Sequence, residues 1–216
     1  MTDLDIVLPC LNEALALPWV LARIPEGARA IVVDNGSTDG SAELAEQLGA
    51  TVVRAQTLGY GAACHAGLLA ATAEFVAVCD CDASLDPRDA TALQRRVEGG
   101  ADLVICRRRP QTWRAWSLFA RIANKELARR IRHRTGARIV DVGPMRVARR
   151  EALLSLDLAD RRSGYPVETV VAAVKRGWRI EQVDVVYRER IGVSKVTGTL
   201  RGSIQAVRDM SAVLDA

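Results

Sequence analysis

The sequence has 216 residues, of which 49% are hydrophobic, 26% are charged and 4% are aromatic. A chain of this length and composition is expected to fold as a globular α/β domain with a core of its own, and not as a disordered or disulfide-stapled protein. No run of 18 apolar residues and no signal peptide is recognised, so neither a membrane-spanning helix nor export is predicted. Five cysteines without an export signal indicate free thiols in the cytoplasm.

The formal net charge of +4 hides an uneven distribution of charge along the chain. Residues 1–106 carry 6 basic and 15 acidic groups, whereas residues 107–138 carry 11 basic groups and one acid, Glu126. Such a basic block favours an anionic partner, for example a phosphate group or an acidic membrane surface. The acidic first half disfavours a nucleic-acid-binding protein and is the place to look for a cation site.

Apolar runs and turn residues alternate through the first half of the chain. The predicted strands are residues 4–8, 29–33, 51–53, 75–79 and 102–106, and the predicted helices are residues 15–24, 41–48, 59–71 and 87–97. Strands that are almost continuously apolar and alternate with helices are typical of a doubly wound, mainly parallel sheet with helices on both faces.

The second half begins with a predicted amphipathic helix over residues 113–134. One side carries Arg114, Arg121, Lys125, Arg129 and Arg132, and the opposite side carries Trp113, Trp116, Ala120, Ala123, Leu127 and Ile131. Two interpretations stay open: the basic side is simply solvated, or it faces an anionic bilayer. Further predicted elements are a strand near 139–142, a helix over 167–176, one or two strands between 179 and 187, and a helix over 200–214.

Three polar clusters follow predicted strands, at residues 9–13, 34–37 and 80–82. Each cluster alone is typical of a turn or a helix cap. Because the carboxyl ends of parallel strands meet at one edge of a sheet, together they predict a ligand site there. Neither a P-loop nor a dinucleotide-binding glycine fingerprint is present.

Asp80 and Asp82 are the best candidates for metal ligands. In an extended segment, residues two apart point the same way, so both carboxylates can reach one cation. Mg²⁺ and Mn²⁺ prefer oxygen ligands and often combine one or two carboxylates with substrate phosphates. Cys79 and Cys81 are interpreted as small buried side chains, since no cysteine–histidine set has zinc spacing.

Residues 8–13, 32–40, 59–61, Ala66-Gly67 and 80–82, taken in order, resemble the family 2 glycosyltransferases of the GT-A fold. The resemblance implies transfer of a sugar from a nucleotide diphosphate donor, usually with inversion, with Mg²⁺ or Mn²⁺ as cofactor. It implies one domain, with a nucleotide-sugar-binding half (1–106) and an acceptor-binding half (107–216). The implied donor site consists of Pro9, Leu11, Asn12, Glu13, Asp34, Gly36, Gly61, Asp80, Cys81 and Asp82. Asp80 and Asp82 are the implied metal ligands, and Asp82 is also expected to act in catalysis.

Three segments of the second half, residues 141–146, 164–168 and 190–195, are similar to the dolichyl- or polyprenyl-phosphate sugar synthases. This resemblance implies a lipid phosphate as acceptor. The candidate phosphate-binding residues are Arg107, Arg190, Ser194 and Lys195. A phosphate acceptor is already ionised, whereas an alcohol acceptor needs a general base, for which Glu168 is the candidate. The alternative role of Glu168 is that of an acid at a helix N-terminus.

Other functions remain as alternatives. A family 2 enzyme acting on a hydroxyl of a soluble saccharide or metabolite fits the same motifs. A non-catalytic protein that binds a nucleotide sugar or an anionic membrane is the alternative of another class. A sugar-phosphate nucleotidyltransferase is disfavoured because residues 9–13 lack its glycine-rich basic loop. The expected location is the cytoplasm, with peripheral contact at the inner face of the membrane and dimerisation left open.

Overall fold

The computed structural model describes residues 3–192 and 208–214. Within them, the strands are β1 (Leu4–Cys10), β2 (Ala28–Asp34), β3 (Thr51–Arg54), β4 (Phe75–Val78), β5 (Leu103–Pro110), β6 (Arg146–Arg149) and β7 (Ile180–Tyr187). The helices are α1 (Leu17–Leu21), α2 (Ser41–Gln47), α3 (Tyr60–Ala70), α4 (Ala90–Glu98), α5 (Leu118–Thr135), α6 (Arg150–Ser155) and α7 (Tyr165–Lys175). Residues 208–214 are also helical, within the helix predicted over 200–214.

The seven strands form one sheet in the order β3-β2-β1-β4-β6-β5-β7. Every neighbouring pair is parallel except the two pairs that include β6, which runs antiparallel to β4 and to β5. The predicted mainly parallel sheet is therefore confirmed. Because β1, β2 and β4 are parallel neighbours, the loops that follow them leave the sheet at one edge.

The prediction of a strand near 139–142 is wrong. That segment is irregular, and the strand of this region lies at Arg146–Arg149. Two backbone N–H groups of the irregular segment donate to side chains and not to a neighbouring strand. The Val140 N–H donates to Gln182 Oε1 at 2.8 Å, and the Val142 N–H donates to Asn124 Oδ1 at 3.0 Å. Two of the backbone N–H groups of this segment are thus satisfied by side chains and not by a neighbouring strand.

Apolar cores cover both faces of the sheet, one against α1 and α4 and the other against α3, α5, α6 and α7. Helix α3 packs directly on β1, because a Cβ atom at Gly67 would lie 2.2 Å from Val7 Cγ1. All five cysteines are buried and free. No helix in the described ranges is both long and apolar enough to cross a bilayer.

Helix α5 is shorter than predicted and less buried. It begins after Ser117, whose hydroxyl accepts the Ala120 N–H at 3.3 Å. Trp113, on the apolar side of the predicted helix, lies before α5 and is 78% exposed. Only Ala128 and Ile131 on this helix are fully buried, because its first two turns extend past the edge of the core.

Candidate active site

The loop after β1 is tied to the loop after β2 by hydrogen bonds. The Asn12 N–H donates to Ser37 Oγ at 2.9 Å, and Asn12 Oδ1 accepts the Thr38 N–H at 2.7 Å. The Glu13 N–H donates to Ser41 Oγ at 2.9 Å. Asn12 has a positive φ of 55°, a conformation that asparagine tolerates better than most residues. Two of the three predicted polar clusters are thus held together.

Asp34 ends β2 and shapes the turn that follows it. Its carboxylate accepts the N–H of Ser37, three residues along the chain, at 3.0 Å, and Gly36 within this turn is exposed. The next residue, Asn35, accepts the Gly59 N–H through Oδ1 at 3.2 Å and links this loop to the start of α3. Pro9, near the end of β1, and Leu11, on the loop after it, are both half-buried.

The start of α3 packs against another loop of the same chain. The Gly61 N–H donates to the Arg162 carbonyl at 3.0 Å, and a Cβ at Gly61 would lie 2.8 Å from the Asp160 carbonyl oxygen. The backbone of residues 160–162 therefore lies against Gly61. Any larger residue at Gly61 would push this loop away.

Asp80 and Asp82 follow β4, as predicted, and have unequal surroundings. Asp80 Oδ1 accepts the Tyr60 hydroxyl at 3.2 Å, and Asp82 Oδ1 accepts the Ser84 N–H at 2.9 Å. Burial, together with the neighbouring Asp82 carboxylate, raises the pKa of Asp80 to about 7. Between them, Cys81 is buried in the core. A partly buried carboxylate with one hydrogen-bond donor is poorly compensated, so an added cation would be favourable here.

Ala83 makes the sharp turn after the acid pair, with a positive φ of 63°. Non-glycine residues rarely adopt this conformation, and it is found more often at functional sites than elsewhere. The turn lets the Ser84 N–H reach back to Asp82. The local backbone is strained so that the Asp82 carboxylate is held in one orientation.

Arg190 lies between two of the predicted acids. Its Nη2 donates to Glu13 Oε1 at 2.7 Å, and its Nη1 lies 3.3 Å from Asp82 Oδ2. The following Ile191 N–H donates to the Asp82 carbonyl at 2.9 Å. The structure therefore joins the segment after β7 to the loops after β1 and β4.

Two other predicted phosphate-binding residues, Ser194 and Lys195, lie outside the described residues. Arg107 is described but lies elsewhere, on β5, where its Nη2 donates to Asp184 Oδ2 at 2.8 Å. In the described part of the chain no hydrogen bond or ion pair links Arg107 to Asp80 or Asp82. Its role in phosphate binding stays a prediction.

Glu168 has both carboxylate oxygens occupied by backbone donors. The Ala159 N–H donates to Oε1 at 2.9 Å and the Asp160 N–H donates to Oε2 at 2.8 Å. Glu168 lies in the first turn of α7 and thereby anchors the loop that packs on Gly61. Over residues 3–192 and 208–214, no hydrogen bond connects it with the acid pair. Its role as a general base stays a prediction.

The sequence offers the three arginines at residues 107–109 as cations for a phosphate acceptor, and the structure singles out Arg108, which is more buried than Arg107 and Arg109. Its Nη2 donates to Asp141 Oδ1 at 2.6 Å, and its guanidinium carbon lies 4.0 Å from the Trp116 ring centroid. The positive charge of Arg108 acts to lower the pKa of Asp80 and so offsets part of the increase that burial causes. The signal was the three consecutive arginines at the end of β5, but only their side-chain directions single out Arg108.

The carboxylates of Asp80 and Asp82 fit a hard divalent cation such as Mg²⁺ or Mn²⁺, which prefers oxygen ligands. In the described ranges, no group of three or more histidine, cysteine or acidic side chains is placed to form a complete metal cage. Two carboxylates leave coordination positions for oxygen atoms of a ligand. The site is suited to a cation that arrives with, or is completed by, a phosphate group.

Comparisons with known proteins agree with this geometry. Residues 5–156 match the family model described as glycosyl transferase family 2. An uncharacterised glycosyltransferase of Mycobacterium tuberculosis is 51% identical over 210 residues, covering 97% of this chain and 96% of that protein. The dolichyl-phosphate hexose transferase of Haloferax volcanii is 31% identical over 198 residues, covering 90% of this chain and 86% of that protein.

Among solved structures, this chain is similar to glucosyl-3-phosphoglycerate synthase of Mycobacterium tuberculosis, crystallised with Mn²⁺, uridine diphosphate and glucosyl-3-phosphoglycerate. The TM-score is 0.77 at 23% identity, covering 98% of this chain and 78% of that chain. This likeness confirms the GT-A fold that the motifs predict.

Proposed function

Because the chain belongs to glycosyl transferase family 2, we propose that this glycosyltransferase moves a sugar from a nucleotide diphosphate donor to a polyprenyl phosphate. The observation that carries the proposal is the convergence of Asp82, Glu13 and Arg190 beside Asp80 at one edge of the sheet. The similarity to a dolichyl-phosphate hexose transferase supports a lipid phosphate as the acceptor.

The donor site lies within residues 1–106, at the ends of β1, β2 and β4. Asp34 and the loop at residues 9–13 form the walls for the nucleoside. Asp80 and Asp82 hold Mg²⁺ or Mn²⁺, which when bound offsets negative charge on the leaving diphosphate. Arg190 supplies a fixed cation at the same place, and its two acid partners orient it.

The reaction is a displacement at the anomeric carbon. An ionised oxygen of the acceptor phosphate forms the new bond to this carbon, and the bond to the donor diphosphate breaks with its electron pair going to the departing nucleoside diphosphate. No proton has to be removed from such an acceptor. The two backbone hydrogen bonds to Glu168 therefore suit a residue that positions a loop, whereas an alcohol acceptor would require a general base.

A surface at the start of α5, here called the α5 surface, supports contact with an anionic membrane. Its apolar members are Trp113, Leu118, Phe119 and Ile122, which are 57% to 78% exposed, and its basic members are Arg114, Arg121 and Lys125. Exposed aromatic and aliphatic side chains beside cations match the interface of an anionic bilayer, where each basic residue contributes roughly 1 kcal/mol. The proposed location is the inner face of the cytoplasmic membrane.

The first test is sugar transfer with uridine, guanosine, cytidine and thymidine diphosphate sugars, each with and without Mn²⁺. The acceptors are polyprenyl phosphate and, as soluble controls, 3-phosphoglycerate and a free saccharide. Metal-dependent transfer to polyprenyl phosphate that is lost in Asp82→Ala supports the proposal. Transfer to a soluble acceptor alone overturns the lipid acceptor, and turnover by Asp82→Ala overturns the assignment of the acid pair.

The second test measures binding to vesicles of phosphatidylglycerol and to neutral vesicles of phosphatidylcholine. The double variant Phe119→Ser with Ile122→Ser is expected to lose binding to the anionic vesicles. Leu48→Ser, at an exposed leucine on the opposite half of the chain, is the matched control and should bind like the wild type. Equal binding by all three proteins would contradict a role of the α5 surface in membrane contact.

A further inference from the structure

A cavity of about 250 Å³ lies beside the candidate active site, between α1, the turn after Asp82 and the segment after β7. Its lining includes Trp19 from α1, Arg23 from the turn after α1, and Arg188 from the segment after β7. The Arg188 N–H donates to the Ser84 carbonyl at 2.8 Å. Because Ala83 lines the cavity and directly follows Asp82, the cavity shares a wall with the acid pair but does not contain it.

Two guanidinium groups converge on the ring of Trp19. The central carbon of Arg23 lies 4.0 Å from the ring centroid, and that of Arg188 lies 5.8 Å from it. The face of an indole ring attracts one cation well, but two cations gathered at the same ring repel each other. An anion between them would relieve this repulsion.

Both guanidinium groups have buried nitrogen atoms that lack an acceptor. Arg23 Nε and Arg188 Nη1 make no hydrogen bond with any residue in 3–192 or 208–214. Leaving a buried charged donor without an acceptor is costly, and such atoms are rare in folded proteins. The two arginines line the same cavity, so one ligand can contact both guanidinium groups.

The acidic side chains of the cavity are already engaged. Asp86 accepts two hydrogen bonds from the Arg88 guanidinium, at 3.1 and 3.0 Å, whereas Arg23 Nε remains 3.7 Å from Asp86 Oδ2. Glu189 accepts the Thr112 hydroxyl at 2.6 Å. The side chains that line the cavity include three arginines and two acids, and the Asp89 carboxylate interacts with the charges of Arg88 and Arg188 from outside the lining.

We propose that this cavity binds a phosphate monoester, with Arg23 and Arg188 as donors and Trp19 as its wall. Arginine is suited to this task because its planar group presents paired N–H donors to phosphate oxygens. The volume exceeds that of a phosphate group, so part of the esterified group also fits. The chemistry is shared by a soluble phosphate ester and by the head group of a lipid phosphate.

The binding experiment uses the full chain labelled with 5-fluorotryptophan and followed by fluorine NMR. The chain has 4 tryptophans, and the Trp19 resonance is assigned with Trp19→Phe. Glycerol 3-phosphate is titrated at constant ionic strength, with chloride as the control anion and without nucleotide or metal. The Trp19 resonance is expected to shift, while the resonance of Trp178, before β7 at the opposite edge of the sheet, should stay in place. Since neither donor nor metal is present, failure of sugar transfer leaves this result unaffected.

Matched variants decide whether the cavity is responsible. Arg188→Gln and Arg23→Gln are expected to weaken glycerol 3-phosphate binding about tenfold or more, because each removes a charged hydrogen-bond donor. Arg96→Gln, on the exposed side of α4, should bind like the wild type. Thermal melting confirms that each variant is folded, and Arg188→Lys, which keeps the charge, should recover part of the affinity.

Polyprenyl phosphate in detergent micelles then distinguishes the two sources of phosphate. If micelles that contain polyprenyl phosphate displace glycerol 3-phosphate and empty micelles do not, the site binds a lipid head group. If glycerol 3-phosphate stays bound in the presence of either kind of micelle, the site binds a soluble ester. Either result supports the phosphate site. A Trp19 resonance that does not move, or equal affinity in the wild type, Arg188→Gln and Arg23→Gln, would overturn it.

Discussion

Asp5 and Asp80 lie at opposite edges of the same sheet and have opposite surroundings. Asp5, at the amino edge on β1, accepts two hydrogen bonds from Arg29, at 2.8 and 2.6 Å, and two from the backbone N–H groups of Thr72 and Ala73. Asp80, at the carboxyl edge, accepts one from the hydroxyl of Tyr60. One carboxylate is fully compensated within the fold, and the other is not.

The pKa values of the two carboxylates record this difference. Burial acts to raise the pKa of Asp5, but Arg29 and the two backbone donors outweigh it and lower the pKa below its ordinary value. For Asp80, burial and the charge of Asp82 raise the pKa to about 7. A buried acid that is compensated stabilises the fold, whereas one that is left uncompensated marks a place where a ligand completes the site.

The largest expected effect is that of Asp80→Asn on sugar transfer. Removing one carboxylate from the acid pair should lower the transfer rate by about a thousandfold, since stabilisation of charge in the transition state is lost. The free energy of unfolding should stay the same or rise, because a neutral amide is less costly to bury than an uncompensated charge. Single-turnover transfer and urea unfolding measure the two quantities. A stable Asp80→Asn variant that keeps its activity would contradict a role of the Asp80 carboxylate in sugar transfer.

Asp5→Asn should have the opposite effects, lowering the stability and leaving the activity unchanged. It removes a charge that four donors surround, so the free energy of unfolding should fall by about 2 to 3 kcal/mol, while the transfer rate per folded molecule stays unchanged. Urea unfolding at neutral pH gives the stability. Asp3→Asn, at an exposed acid two residues earlier, is the control and should change it little. Loss of activity without loss of stability would contradict a structural role for Asp5.

The contribution of Asp5 to stability should depend on pH. Its pKa in the folded state lies below the ordinary value of 3.8, so the folded state binds fewer protons than the unfolded chain in this range. The stabilisation is therefore fully present above the unfolded pKa and is lost as pH falls through the folded pKa. The difference in free energy of unfolding between the wild type and Asp5→Asn, measured by urea unfolding, should therefore become smaller as the pH is lowered from neutral to acidic. A constant difference would point to packing instead of charge.

The smallest expected effect concerns the strained turn after the acid pair. Ala83→Gly should raise the free energy of unfolding by about 1 kcal/mol, because glycine adopts a positive φ without steric cost. Ala92→Gly, at an exposed position inside α4, is the matched control and should lower it by about 1 kcal/mol. If both substitutions destabilise equally, the turn at Ala83 stores no strain.

Prediction from sequence succeeded where the signal is local. The first five strands were predicted within a few residues, since near-continuous apolar runs bounded by turn residues identify buried parallel strands. The run over 4–8 was expected to end at Pro9, yet β1 continues to Cys10, where it pairs with Asp34. Prediction failed for β6, because partners distant in the chain decide which short segment joins a sheet. Arg146 begins that strand and is only 2% exposed, which its charge does not suggest.

The sequence by itself determined the family, the mainly parallel sheet and the polar clusters at the strand ends. These features depend on residue type and order, which a single chain displays directly. Tertiary structure alone decided that Arg190 lies between Glu13 and Asp82, that Arg107 faces Asp184, and that Arg23 meets Arg188 at one cavity. Direction and separation of side chains depend on how distant segments pack, and no local pattern in the chain contains that information.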